Sequence, residues 1–264
     1  MGEGFNSVTY RLRLAAARRA LRGSGVERVG SVIEAAVGVG AYAPLWKQLQ
    51  VSRWIGVDIS EAAIADLGKR FSNAKFVCED ICSDQLGDRL SNETADLVTA
   101  IDVLYHIQDD AFFGRALRNL AARVSPQGAL LLSDVFCERS RPVQSIVKRR
   151  PLATYQEILG DLGLEFVRRE PIFAILGDPI VRDSRPWQDV ALFNAWRVLA
   201  KAIRVSPAAV RSAVGWLVAW GAMPADAVLR RIRVTRGVNL EMAVFRRVTD
   251  PRDGAGTAIR GGTR

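Results

Sequence analysis

Residues 33–46 read IEAAVGVGAYAPLW: the end of a short apolar run, an acidic side chain, Gly38 and Gly40, then a helix-like segment. An apolar run that breaks at spaced glycines and resumes as a helix predicts a strand–turn–helix unit. Glycine there lets the backbone take φ > 0 and come close to a ligand. A buried strand with Glu34 near its end predicts a carboxylate held at the mouth of that turn.

Working outward, short β-branched or apolar runs alternate with helical patterns, which predicts a parallel α/β sheet. Strands are expected at 31–36, 53–58, 74–78, 96–101 and 129–135, with helices at 42–49, 61–71 and 110–124. Ser60 is placed to cap the second of these helices. SPQG at 125–128 is read as ending a helix and turning into the fifth strand. Beyond it, 137–151 reads as a basic, irregular segment, 152–162 as a helix stopped by Gly163, and 164–171 as a sixth strand. A last strand is expected at 240–248. Between the last two strands, 178–237 looks helical and holds four of the six tryptophans. We read it as an inserted helical cap within one domain spanning 1–264, and the Gly-rich tail 249–264 as disordered.

The chain has 264 residues, 49% of them hydrophobic, enough for a full core, and a formal charge of +9 that favours anionic partners without naming one. Three cysteines without a CxxC pair, and the single histidine His106, argue against a Cys/His zinc site and a disulfide framework. A reducing, cytoplasmic setting is expected. Residues 10–21 are Arg-rich and helix-like with no following cleavage site, so no secretory signal is expected. MGEGFN misses the myristoylation pattern at position 6. The longest apolar stretch, 213–224, is shorter than the roughly 20 residues a bilayer span needs. The chain is therefore expected to be soluble or at most peripheral.

Gly38, Gly40 and Ala43 satisfy the loose form G-x-G-x-x-G/A, so a dinucleotide reading, and hence an NAD-linked oxidoreductase, has to be weighed. Asp58 follows at the distance of a ribose contact. Glu34, however, would repel a pyrophosphate and suits a cationic ligand. Asp80 then ends the third strand in FVCED, and the fourth runs into DLVTAIDVLYHIQDD. In order, E-x-A-x-G-x-G, GVDIS, CEDI, DLVTAIDVLYHI and GALLLSDV resemble the motif series of class I S-adenosylmethionine (SAM)-dependent methyltransferases. The resemblance covers 31–135 and, with the last two strands, extends to 248. It implies a Rossmann-like α/β sheet of seven strands, six parallel and one antiparallel, flanked by helices. One departure stands out: Ala36 occupies the place of the family's first glycine.

The resemblance also implies roles. Glu34 would hold the methionine end, while Ala36, Gly38 and Gly40 form the loop against the cofactor. Asp58 would accept from both ribose hydroxyls, since a carboxylate offers two oxygens to a vicinal diol. Ile59 would pack on the adenine, Asp80 and Ile81 would meet its edge, and Ala100 and Ile101 would line the methionine arm. The bland reading of Asp58 and Asp80 is that they only cap the following helices.

Methyl transfer to a hydroxyl needs a positioned acceptor and a base. Asp102, Tyr105, His106 and Asp134 lie past the fourth and fifth strands. His106 has the chemistry of a base, but by resemblance it can equally be a structural residue under the cofactor. No metal site is expected. The expected activity is O-methylation of a small molecule or activated sugar. The alternative is an inactive relative that binds an anionic partner through the cap. Ten Lys or Arg against four Asp in 178–237, and Lys148, Arg149 and Arg150 nearby, suit a phosphorylated or nucleotide-linked acceptor. No nucleic-acid motif is present. The apolar run 213–223 is read as an inner face or homodimer contact, with membrane contact as the lesser alternative.

Overall fold

The computed structural model describes residues 2–26, 28–144, 146–177, 186–231 and 239–247. Its central sheet contains β1 (Ser31–Ala35), β2 (Arg53–Asp58), β3 (Lys75–Cys78), β4 (Ala95–Ala100), β5 (Val124–Asp134), β8 (Leu164–Pro171) and β9 (Glu241–Arg247). They lie in the order β3-β2-β1-β4-β5-β9-β8, and only β9 runs against its neighbours. The order reverses between β1 and β4, so the crevice at their carboxyl ends is the place for a ligand.

Strand side chains alternate between two apolar layers. Val32, Leu97, Leu131 and Val244 face one, formed with α1 (Glu3–Arg22), α2 (Ala43–Gln48) and α3 (Glu61–Arg70). Ile33, Val98, Leu130 and Phe245 face the other, against α5 (Asp110–Ala121) and α6 (Leu152–Gly160), with the short α4 (Leu86–Arg89) at its edge. Ser60 caps α3, accepting from the Ala63 N–H at 3.3 Å.

The arginine-rich segment at the N-terminus forms α1, which buries Phe5, Val8, Leu12, Ala16 and Ala20 at helical spacing. Alanines in its second half let it sit close on the sheet. The helices α7 (Pro186–Arg204) and α8 (Arg211–Arg231) are inserted between β8 and β9. Residues 178–185 and 232–237 of the expected cap, and the tail 249–264, lie outside the described residues.

Several expectations are corrected. SPQG lies inside β5, where a register shift between Ala95 and Leu97 absorbs it. A Cβ on Gly128 would stand 3.0 Å from the Ala95 and Asp96 carbonyl oxygens, so this glycine lets β5 close on β4. The segment 137–151 contains an antiparallel hairpin, β6 (Arg141–Gln144) and β7 (Val147–Arg149). The apolar run 213–224 belongs to a helix of 21 residues, long and apolar enough by length and composition to cross a membrane. Pro224 is exposed and does not stop it. The helix α8 lies along α1: the Gly4 N–H donates to Ser212 Oγ at 2.8 Å. A Cβ on Gly4 would meet the Ser212 carbonyl oxygen at 2.1 Å, so only glycine permits this crossing.

Candidate functional site

A cleft of about 810 Å³ opens at the carboxyl ends of β1, β2 and β4. Its first wall is the turn after β1, where Ala36 has φ 54°, Gly38 φ 53° and Gly40 φ 73°. A Cβ on Gly38 would meet only the Ala36 carbonyl at 3.9 Å, so its glycine is required by conformation. Gly40 is different. A Cβ there would stand 2.8 Å from Leu67 Cδ2, so this glycine lets α3 approach the turn, and it does not line the cleft.

Asp58, at the end of β2, accepts from the Gly38 N–H at 2.8 Å through Oδ2 and from the Ser60 N–H at 3.0 Å through Oδ1. One carboxylate thereby fixes both loops that frame the cleft. Beside it Ile59 presents an apolar side chain that is 72% exposed. Asp80 Oδ1 accepts from the Cys82 N–H at 2.8 Å, which holds the loop after β3. Ile81 and Ile101 complete this side.

Glu34 is buried at the base of the cleft. Its Oε2 accepts from the indole N–H groups of Trp46 at 2.7 Å and Trp54 at 3.0 Å. Burial pushes its carboxyl up to about 8, against the pull of the two indole hydrogen bonds. It is therefore largely neutral at pH 7 in the unliganded chain.

On the far side, Asp102 takes φ 58° and donates its N–H to Ser133 Oγ at 2.8 Å. Its Oδ2 accepts from Arg13 Nε at 2.6 Å, and its Oδ1 from the Ser133 hydroxyl at 3.1 Å. His106 ends a 3-10 turn (Leu104–His106), is exposed, and lines the cleft with Phe112. Its Nδ1 lies 3.2 Å from the Ile146 carbonyl oxygen in the β6–β7 turn. Tyr105 packs against the His106 ring, 4.5 Å between centroids, and burial followed by the Asp102 charge pushes its phenol above the ordinary value.

The structure thus gathers Glu34, Ala36, Gly38, Asp58, Ile59, Asp80, Ile81, Ile101, Asp102 and His106 around one cleft. Gly40, Ala100 and Tyr105 are not on its surface; Ala100 is buried in the core of the sheet. Asp134 is fully buried and accepts from the Tyr155 hydroxyl, with its carboxyl pushed up to about 7 by burial. No His/Cys/Asp/Glu cluster suited to a metal occurs among the described residues.

Sequence reasoning missed Tyr10, Arg13 and Tyr42. Tyr10 and Tyr42 line the cleft, and the only signal for Tyr10 was an Arg-rich helix with no other role. The Tyr42 hydroxyl is buried in the wall without a hydrogen-bond partner. A carboxylate able to accept from a vicinal diol, Asp58, and the exposed apolar side chain of Ile59 fit the ribose and adenine of SAM.

A family model described as "Methyltransferase domain" matches residues 8–168. No curated protein sequence matches the chain. Solved structures share the fold at low identity. The O-methyltransferase from a trans-AT polyketide synthase multienzyme of Brevibacillus brevis, in complex with S-adenosyl-L-homocysteine, is 15% identical with TM-score 0.57, over 94% of this chain and 80% of that one. The N-methyltransferase NodS of Bradyrhizobium japonicum is 16% identical with TM-score 0.50, over 90% of this chain and 96% of that one. The [4+2]-cyclase SpnF is 12% identical with TM-score 0.53, over 90% and 82%. The structural likeness carries the fold, and the family model spanning more than half of the chain carries the family. The chain belongs to the methyltransferase-domain family and is a class I SAM-dependent methyltransferase.

Proposed function

We propose that this enzyme methylates a hydroxyl of a small acceptor, with His106 as the base. The observation that carries this reading is the 3.2 Å contact between His106 Nδ1 and the Ile146 carbonyl oxygen. A carbonyl only accepts, so Nδ1 holds the hydrogen and the lone pair of the neutral ring is at Nε2. The β6–β7 hairpin thereby orients a base at the cleft.

Its competitors are otherwise engaged. Asp102 is ion-paired with Arg13. Asp134 is fully buried, and Tyr105 holds its proton more tightly than a free phenol. SAM supplies a methyl carbon activated by its sulfonium. His106 Nε2 would take the acceptor's hydroxyl proton, leaving the oxygen free to receive that methyl group. Asp58, Ile59 and Asp80 would hold the cofactor, and Phe112, half exposed, would offer an apolar face to the acceptor.

An anionic acceptor draws less support than its sequence suggested. Lys148 and Arg150 both ion-pair with Asp110, at 2.7 and 2.9 Å. Among the described residues, α7 and α8 contribute no side chain to the cleft. The thiols of Cys78 and Cys82, neither in a disulfide, support a reducing, cytoplasmic setting.

The test is methyl incorporation from labelled SAM across paired hydroxyl and amine acceptors, followed by a pH–rate series. The reading expects a hydroxyl substrate and a kcat/KM that rises with pH through one ionisation. His106→Gln should remove that ionisation and lower kcat by about two to four orders of magnitude, with SAM affinity unchanged. Residual turnover that keeps the wild-type pH profile would remove His106 as the base.

A further inference from the structure

The helix α8 shows solvent an unusual face. Its exposed residues between Ser212 and Arg231 include Trp216, Leu217, Trp220, Pro224 and Val228, and none of the exposed residues in that interval carries a charge. Leu217 and Val228 are 61% and 60% exposed. On α7, Trp187 and Val198 are 74% and 69% exposed. Apolar surface on this scale marks an interaction site.

The charges around it have one sign. Residues 186–231 contain six Lys or Arg and two Asp. Both of those acids, Asp189 and Asp226, are fully buried, so every exposed ionised side chain of α7 and α8 is basic. The C-terminal end of the face runs into a second cleft, of about 1050 Å³, which Ala227 and Val228 help to line. Arg19, Arg168, Arg169, Arg230 and Arg231 also line it. Three carboxylates pair with them: Glu170 with Arg19 and Arg168, Glu241 with Arg169, and Asp226 with Arg230. Five guanidinium groups against three carboxylates leave this cleft net positive.

We propose that α7 and α8 dock the enzyme on an anionic lipid surface, with tryptophans and Leu217 in the interface and a lipid phosphate in the arginine cleft. Tryptophan and leucine on one face with a basic surround is the pattern of helices that lie in the membrane plane. Arginine suits the phosphate because its planar fork of donors matches phosphate oxygens. A second copy of this chain is a poorer occupant, since two such faces would bring like charges together.

Spanning the bilayer is excluded by the other side of α8. Asp226 Oδ1 accepts from the N–H groups of Ala174, Ile175 and Leu176 at 2.8, 2.8 and 3.2 Å, and Gly4 binds Ser212. The helix is fastened to the catalytic domain along its length, so only its outer face is free for lipid.

The test is co-sedimentation of the full chain with vesicles of phosphatidylcholine alone or mixed with phosphatidylglycerol. Binding to the mixed vesicles and a blue shift of tryptophan emission are expected, weakening as salt is added. Replacing Trp216, Leu217 and Trp220 together by Ser should lower partitioning about tenfold or more, and Arg168→Gln with Arg231→Gln should remove the preference for phosphatidylglycerol. Leu217→Ser alone serves if the triple variant misfolds, with SAM affinity as the check on folding. Absence of binding to the mixed vesicles would overturn the proposal. So would equal binding by the serine variants, which would mean unspecific attraction of a basic protein. A dimer in solution that Leu217→Ser dissociates would assign the face to a second copy and overturn it as well.

Discussion

Arg13 and Asp102 are 89 positions apart in the chain, and Arg13 Nε reaches Asp102 Oδ2 at 2.6 Å. The guanidinium also lies over the rings of Phe173, 5.0 Å, and Tyr10, 5.4 Å, from their centroids. The N-terminal helix is therefore part of the cleft: it holds the left-handed residue after β4 and brings Tyr10 to the wall.

Arg13→Met keeps an apolar stem and removes the charged donor. It should cost about 1–3 kcal/mol, the range for leaving a partly buried polar partner unmatched, and weaken SAM binding. Adding Asp102→Asn should cost less than the sum of the single changes, because the two residues share one interaction. Thermal melts of the four proteins check this, and strict additivity would show the pair to be idle.

Ala36 pays for its φ of 54°. A left-handed L-residue costs roughly 1–2 kcal/mol, and the extra backbone freedom of glycine returns roughly 0.5–1 kcal/mol of it. Ala36→Gly should therefore raise Tm by about 2–4 °C, with SAM affinity unchanged or tighter. A lower Tm would mean that the Ala36 side chain packs usefully in the turn.

Much of this site was legible because its parts are local. The end of β2 at Asp58 and the turn at Gly38 each follow from an apolar run meeting special backbone chemistry, and their order along the chain carried the resemblance. Gly40 shows the limit: its spacing is that of a cofactor loop, yet its bare Cα faces Leu67. Arg13, Tyr10 and the Asp226 nest were illegible because each is defined by a partner far away in sequence. The pairing of Lys148 and Arg150 with Asp110 was hidden for the same reason, since that carboxylate lies 38 to 40 residues earlier.

Among the carboxylates, Glu34 and Asp134 carry the pH dependence near neutrality. Burial raises the folded carboxyl of Glu34 from 4.5 to about 8 and that of Asp134 from 3.8 to about 7. The folded chain thus holds protons that the unfolded chain releases. Their stabilising contribution is complete below the unfolded values and is lost as pH rises through about 7 and about 8. Glu34→Gln mimics the neutral form, so its stability relative to wild type should increase steadily from pH 5 to pH 8 and level off above about pH 8. A gap that does not change with pH would show that Glu34 is ionised in the fold. The cationic cofactor should also favour the ionised form, so SAM binding should release protons, read by calorimetry in buffers of different ionisation enthalpy.

Asp226 is the fastening between α8 and the segment after β8. Asp226→Ala leaves three backbone N–H groups and Arg230 without their carboxylate. A loss of about 3–5 kcal/mol is expected, or roughly 10 °C in Tm. Deleting 183–236 should accordingly destabilise the whole domain, because α1 loses the helix it packs on. A deletion variant that melts like wild type and binds SAM would contradict this packing.

The most direct measurement is a calorimetric titration of SAM into the wild type and Asp58→Ala, with NAD as the control ligand. The wild type should bind SAM and not NAD. Asp58→Ala should weaken SAM binding about tenfold or more, because a charged acceptor worth roughly 1.5–3 kcal/mol is lost and the Gly38 turn loses its tether. Unchanged SAM affinity in the variant, or NAD binding in the wild type at comparable strength, would contradict the assignment of this cleft.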